Sequence, residues 1–197
     1  MRVAAPNSLY YSLVTLTQSA YTALHANGSS TSVSISIQLE TCWGVLGEIT
    51  PYRGISTDMV DFSFAQFTGV STYPYFSYPK PNDMPPDYWT RPAAETDGRP
   101  VYHAEGNWAT NASTSTAIRW PWSEADQAKY VTRLASWLTM VNATEWMCLI
   151  YADLDWGPQY TTAQLAPFLS IGVANSNLTA KTALQPWDAV FSIPYTP

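Results

Sequence analysis

The chain reads as an α/β protein of about four parallel strands with flanking helices. Three observations predict this. Strand-like and helix-like stretches alternate as helix-strand, helix-strand, strand-helix, strand-helix, which favours parallel strands joined by right-handed crossovers. Each strand-like stretch ends in a carboxylate or an aromatic residue, and parallel strands gather such ends at one rim. The 197 residues fit one domain, residues 1–197, with no boundary or strong repeat, and can bury a sizeable core.

Pro6 to Ala26 predicts a helix. Leu9, Leu13, Leu16, Ala20 and Leu24 recur at three- and four-residue spacing and form one apolar stripe for the core. Asn27-Gly28-Ser29-Ser30 stops it. Ser32 to Leu39 alternates, with Val33, Ile35, Ile37 and Leu39 on one face and Ser34, Ser36 and Gln38 on the other. The apolar set suits a helix layer and the small polar set the opposite side. Glu40 closes this strand, and Cys42-Trp43-Gly44 follows.

A short helix over 56–66, capped by Thr57 or Asp58, leads to a second strand at Phe67 to Tyr73. Prolines 74, 79, 81, 85, 86 and 92 predict an irregular crossover. The third strand is Val101 to Glu105. Ser123 is the expected N-cap of a helix to about Val141, with Glu124 and Asp126 in its first turn and Ala128, Val131, Leu134, Ala135 and Leu138 inward. Trp146 to Tyr151 is a continuous apolar run that suits a fourth strand covered on both faces. A short helix is expected over 163–169. A last one is expected over 180–191, where Pro186 ends or kinks it.

The most informative stretch runs from Arg99 to Trp108. A short buried strand delivers Glu105 to its C-terminal end, Gly106 turns the backbone, and Trp108 offers an aromatic wall. A carboxylate there can attack or stabilise an oxocarbenium-like centre, and an indole can pack on a pyranose face. The plainer reading is a capping or ion-paired glutamate. The same rim would collect Glu40 and Trp43 from the first strand, Tyr73 and Tyr75 from the second, Asn107 from the third, and Asp153, Asp155 and Trp156 from the fourth.

Composition excludes several classes. A net charge of −6 and the absence of a basic run argue against nucleic acid or an anionic membrane surface. No apolar stretch is long enough to span a membrane. His25 and His103 lack ligand-spaced partners, so neither a metal nor a cofactor is expected. No G-x-S-x-G elbow supports an esterase. Charged residues are only 12% and aromatics 14%, with nine Trp and thirteen Tyr, so some rings are expected on a surface cleft. Cys42 and Cys148 form either one bridge or two buried thiols. Sequons at Asn27, Asn111, Asn142 and Asn177 lean toward a secreted protein, although Met1 to Pro6 lacks the apolar core of a signal peptide.

As a set these motifs resemble the C-terminal half of a clan A glycoside hydrolase, a retaining (β/α)8 enzyme of galactanase or cellulase type. Val33 to Glu40 resembles the fifth strand of that barrel. Gly69-Val70-Ser71-Thr72-Tyr73-Pro74-Tyr75 resembles the "G-L-S-x-Y-P" of the sixth. Pro100 to Trp108 resembles "P-V-x-x-x-E-x-G-W" of the seventh, with Gly106 and Asn107 in altered order, and Trp146 to Trp156 resembles the eighth.

The resemblance implies a half (β/α)8 barrel. It implies Glu105 as nucleophile, Tyr73 as the hydroxyl that orients it, and Trp156 as a sugar platform. His103, two residues before Glu105, is expected on the same side of the strand one layer deeper, or as a satisfied core histidine. The family's acid/base Asn-Glu-Pro motif is absent from the chain. A retaining mechanism needs a second carboxyl about 5–5.5 Å away and an inverting one about 6.5–9.5 Å, so Glu40, Asp153 or Asp155 would have to stand in, Glu40 foremost. A half barrel also exposes two sheet edges, which a homodimer would close, or else loops and helices would cover. The expected function is hydrolysis of β-linked poly- or oligosaccharide. The alternatives are a non-catalytic carbohydrate-binding remnant and an inactive fragment.

Overall fold

A computed structural model of the chain describes residues 7–44, 52, 54–111, 120–155 and 166–192. Its centre is a three-stranded parallel sheet in the order β1 (Ser34–Gln38), β2 (Phe67–Thr72), β3 (Val101–Gly106), flanked by helices. β1 pairs with β2 from Ser34↔Phe67 to Gln38↔Ser71. The alternation in β1 has the predicted sense. Ile35 and Ile37 are buried, while Ser34 and Ser36 are exposed on the opposite face.

β2 and β3 pair regularly from Thr68↔Val101 to Val70↔His103. The register then slips, so that Ser71 lies against Glu105 and Ala104 is bulged out. Gly69 permits a close approach on the open face. A β-carbon there would lie 2.7 Å from the Tyr102 ring, which reaches over β2 to place its hydroxyl 2.6 Å from Ser34 on β1. Gly106 has φ +121°, and a β-carbon there would lie 1.9 Å from the Thr72 carbonyl oxygen, so only glycine fits at the end of β3.

The predicted fourth strand shrinks to one parallel bridge, His103↔Trp146. Beyond it Met147, Leu149 and Tyr151 are exposed, so the apolar run is covered on one side only. The chain then meets 174 at a second isolated bridge, Ala152↔Ala174.

α1 (Asn7–Ala26) forms where predicted but presents the other face. Leu9, Leu13, Leu16 and Leu24 are exposed. Tyr10 is buried, with Val14, Thr17, Tyr21 and His25 half-buried along the same side. The reason is hydrogen bonding. The Tyr10 hydroxyl bridges Asp58 (3.0 Å) and Asp61 (2.8 Å), and the Tyr21 hydroxyl accepts from Gln66 (3.1 Å). The short α2 (Leu39–Cys42) carries Glu40, and α3 (Ser56–Asp61) ends earlier than predicted. Neither expected cap serves α3. Ile55 is its N-cap residue, and the Ile55 N–H donates to Glu95. The proline-rich crossover holds single turns at Pro74–Phe76 and Pro81–Asp83, then α4 (Thr90–Ala93).

α5 (Glu124–Met140) is capped by Ser123, whose side chain accepts the Asp126 N–H. It buries Gln127, Tyr130, Val131, Leu134, Trp137 and Leu138. Pro186 falls within the first turn of α6 (Leu184–Phe191), where its missing N–H costs nothing. Of the helix expected over 163–169, a single turn at Ala166–Phe168 lies among the described residues. Cys42 and Cys148 are free thiols, and burial pushes Cys42 up to about 12.

Candidate active site

The open face of the sheet leads to a cleft of about 530 Å³ at the C-terminal ends of the strands. Ser36 and Gln38 line it from β1, Ser71 from β2 and Glu105 from β3. Ile37, Thr41, Tyr73 and Phe168 complete the wall. The slip between Val70 and Ser71 brings Glu105 here, because it sets Glu105 against Ser71, whose hydroxyl faces Ser36 at 2.8 Å on the open side.

Tyr73 follows β2 and precedes Pro74, where the backbone leaves the extended conformation (φ −132°, ψ 64°). Its hydroxyl donates to Glu105 Oε1. Burial, then the hydrogen bond and charge of Glu105, hold the phenol well above its ordinary range, so it stays protonated and remains a donor. Phe168 meets the Tyr73 ring edge-to-face at 5.0 Å and fixes its plane.

Glu40 lies behind this pair and does not line the cleft. It is fully buried. Its Oε1 accepts from the Tyr73 N–H, the Thr72 hydroxyl and the Tyr88 hydroxyl, each at 2.7 Å. Burial raises its carboxyl above the ordinary value even though all three donors oppose that shift.

The other expected contact residues lie in the following surroundings. His103 pairs with Val70 and faces the helix layer, opposite to Glu105. Its Nδ1–H donates to the Met147 carbonyl at 2.6 Å, its ring lies between Trp89 and Trp146, and burial lowers it to about 4. It is a core histidine. Tyr75 and Trp108 are fully buried and pack edge-to-face, with Trp108 also against Tyr130, so neither offers a face to a sugar.

Asn107 is buried and spends its amide on the Ile171 carbonyl (2.9 Å) and the Trp108 N–H (2.8 Å). Trp43 stacks on Tyr88 at 5.7 Å and donates to the Tyr88 carbonyl. Asp153 is paired with buried Lys181 at 2.6 Å and also accepts the Gly172 N–H. Asp155 is exposed, and Trp156 lies outside the described residues. The structure therefore unites Tyr73 and Glu105 at the cleft, with Glu40 beneath them. Sequence reading missed Phe168, Thr41 and Ser71 as wall residues. It found the facing of Ser36 and Gln38 through the β1 alternation.

Among the described residues, no group of three or more His, Cys, Asp or Glu is placed to hold a metal ion, and no helix is long and apolar enough to cross a membrane. No family model and no curated protein matches the chain. Solved structures do. The glycoside hydrolase family 17 β-1,3-glucanosyltransferase from Rhizomucor miehei is similar over 87% of this chain and 55% of its own, at 15% identity and TM-score 0.57.

The β-glucuronidase of Ruminococcus gnavus is similar over 91% of this chain and 29% of its own, at 13% identity and TM-score 0.56. A GH2 β-galacturonidase from Eisenbergiella tayi is similar over 70% of this chain and 26% of its own, at 15% identity and TM-score 0.52. The fold is glycosidase-like, and the parallel sheet with flanking helices is consistent with a partial α/β barrel. The chain spans about half the length of the glucanosyltransferase it resembles.

Proposed function

We propose that this chain is half of a (β/α)8 glycosidase barrel that acts on β-linked poly- or oligosaccharide, with Glu105 as nucleophile, or as base if the mechanism is inverting. The observation that carries this reading is the placement of Glu105 at the C-terminal end of a parallel strand, on an open cleft, with the Tyr73 phenol donating to it. The donated bond orients the carboxylate. The Ser36, Ser71, Gln38 and Thr41 side chains give the cleft the hydrogen-bonding wall that a hydroxyl-rich ligand needs.

Both stereochemical routes require a second carboxyl. Glu105 is the one carboxylate among the described residues that line the cleft. We place the second carboxyl on a partner, a second copy of this chain. It would cover the outer edge of β1, which ends the sheet, and the exposed leucines of α1. A secreted setting fits the four exposed sequon asparagines.

Hydrolysis of a panel of aryl β-glycosides and β-glycans, followed across protein concentration beside Glu105→Gln, tests this. Turnover that rises with dimer content and vanishes in the variant supports it. Turnover unaffected by Glu105→Gln overturns the assignment. The lone carboxylate also favours a second reading, a carbohydrate-binding remnant, which predicts sugar affinity that survives Glu105→Ala with no turnover in either form. Neither turnover nor affinity would mark an inactive fragment.

A further inference from the structure

We infer that Glu40 is a positioning residue that aims the Tyr73 phenol at Glu105 by gripping the Tyr73 backbone N–H. This deepens the proposed function and rests on it. Tyr73 stands where the chain leaves β2, and Pro74 after it supplies no N–H to a neighbour. The pairing of β2 with β3 ends one residue earlier, at Thr72↔Gly106. The direction of the phenol is then set by edge-to-face contacts of its ring with Phe168, Tyr75 and Phe76, by the Phe76 N–H on the Tyr73 carbonyl (3.1 Å), and by the hydrogen bond from the Tyr73 N–H to the Glu40 carboxylate at 2.7 Å.

An apolar residue at position 40 would fill the same space at lower desolvation cost. Only a fixed acceptor can hold an N–H. Glu40 is itself held by two hydroxyls, Thr72 on β2 and Tyr88 from the crossover, which also lie 3.1 Å from each other. The Thr72 carbonyl is the atom against which Gly106 closes. One buried oxygen on α2 thus ties the end of β2 to the turn that carries the site, and the end of β3 packs on the same residue.

The test reads Tyr73 directly and needs no turnover. The 13Cζ signal of Tyr73, assigned by its loss in Tyr73→Phe, reports the hydrogen bond to Glu105, and Glu105→Ala gives its unbonded position. Glu40→Gln keeps an oxygen acceptor and is expected to keep the wild-type signal. Glu40→Leu removes it and is expected to move the signal to the unbonded position. A folded Glu40→Leu protein with an unmoved Tyr73 signal, whatever its stability, overturns the inference.

Should Glu40→Leu fail to fold, Glu40→Asp is read the same way, because it withdraws the carboxyl by one methylene while leaving a buried acid. Where turnover exists, Glu40→Leu is expected to lower kcat by on the order of 100-fold, as a displacement of about 1 Å does, with KM little changed. A moved signal in a protein without any turnover would leave the positioning role standing and remove the hydrolase reading.

Discussion

His103 and Glu105 are two residues apart on β3 yet face opposite sides of the sheet. The slip opposite Val70 and Ser71 puts the imidazole among Trp89 and Trp146 and the carboxylate on the open cleft. The buried imidazole is lowered to about 4, against an ordinary value near 6.5. The unfolded chain therefore takes up a proton that the folded one refuses. This contribution to stability is complete above about pH 6.5 and is lost as pH falls toward about 4, by about 3 kcal/mol. Urea midpoints across that window should fall with pH in the wild type and change less in His103→Gln.

Tyr73→Phe removes the phenolic donor to Glu105 while leaving the ring packed on Phe168. Where the chain turns over a β-glycoside, the expected outcome is a loss of order 100-fold in kcat with a near-normal thermal transition. Steady-state kinetics beside a melting curve checks both halves.

Lys181 is buried, and its ammonium also donates to Thr110 (3.0 Å) and to the Ser170 carbonyl (3.2 Å). Asp153→Ala should leave that charge stranded and cost about 3–5 kcal/mol. Asp153→Leu combined with Lys181→Met should recover most of the loss. Sugar affinity at the cleft should be unaffected in the double variant. Denaturant titration and a binding isotherm decide whether Asp153 is a pin or a ligand contact.

Gly106→Ala should cost at least about 2 kcal/mol, since φ +121° and the Thr72 carbonyl oxygen both exclude a β-carbon. Gly98→Ala, which is left-handed but open to space, should cost about 1 kcal/mol and serves as the control in the same urea series.

The two faces of α1 should respond unequally. Leu9→Gln with Leu16→Gln is expected to change monomer stability by no more than about 0.5 kcal/mol, as at exposed positions. Tyr10→Phe should cost about 1.5–3 kcal/mol through its lost bonds to Asp58 and Asp61. If a second copy covers the leucines, the double variant should also shift sedimentation toward monomer.

β1 was legible through its apolar alternation, and β3 as a short stretch between Pro100 and Gly106. Glu105 and Tyr73 were legible as strand-end residues. The orientation of α1 was not. Tyr10, Val14, Thr17, Tyr21 and His25 recur at the same spacing as the leucines, and hydrophobicity favours the leucines. What decides is a set of hydroxyl partners contributed by residues near positions 58–66. The aromatics misled for a related reason. Trp108 and Tyr75 are core rings and Trp43 is half-buried against that core, and a core ring and a sugar platform are the same residue on paper. His103 is the core histidine that was one of its two expected readings, but its side of the strand was not legible because a bulge leaves no mark in a period-two pattern. Phe168 carried no signal, since it reaches the cleft from a distant irregular segment.

The hydroxyl pair of Tyr102 and Ser34 joins the outermost strands across the bare backbone of Gly69. It acts as a tie-rod over the middle strand. If the outer edge of β1 peels away, the load passes to β3 three residues before Glu105, so edge fraying and carboxylate alignment are mechanically one event. Anything that docks along that edge would stiffen the rim that carries Glu105 without touching it.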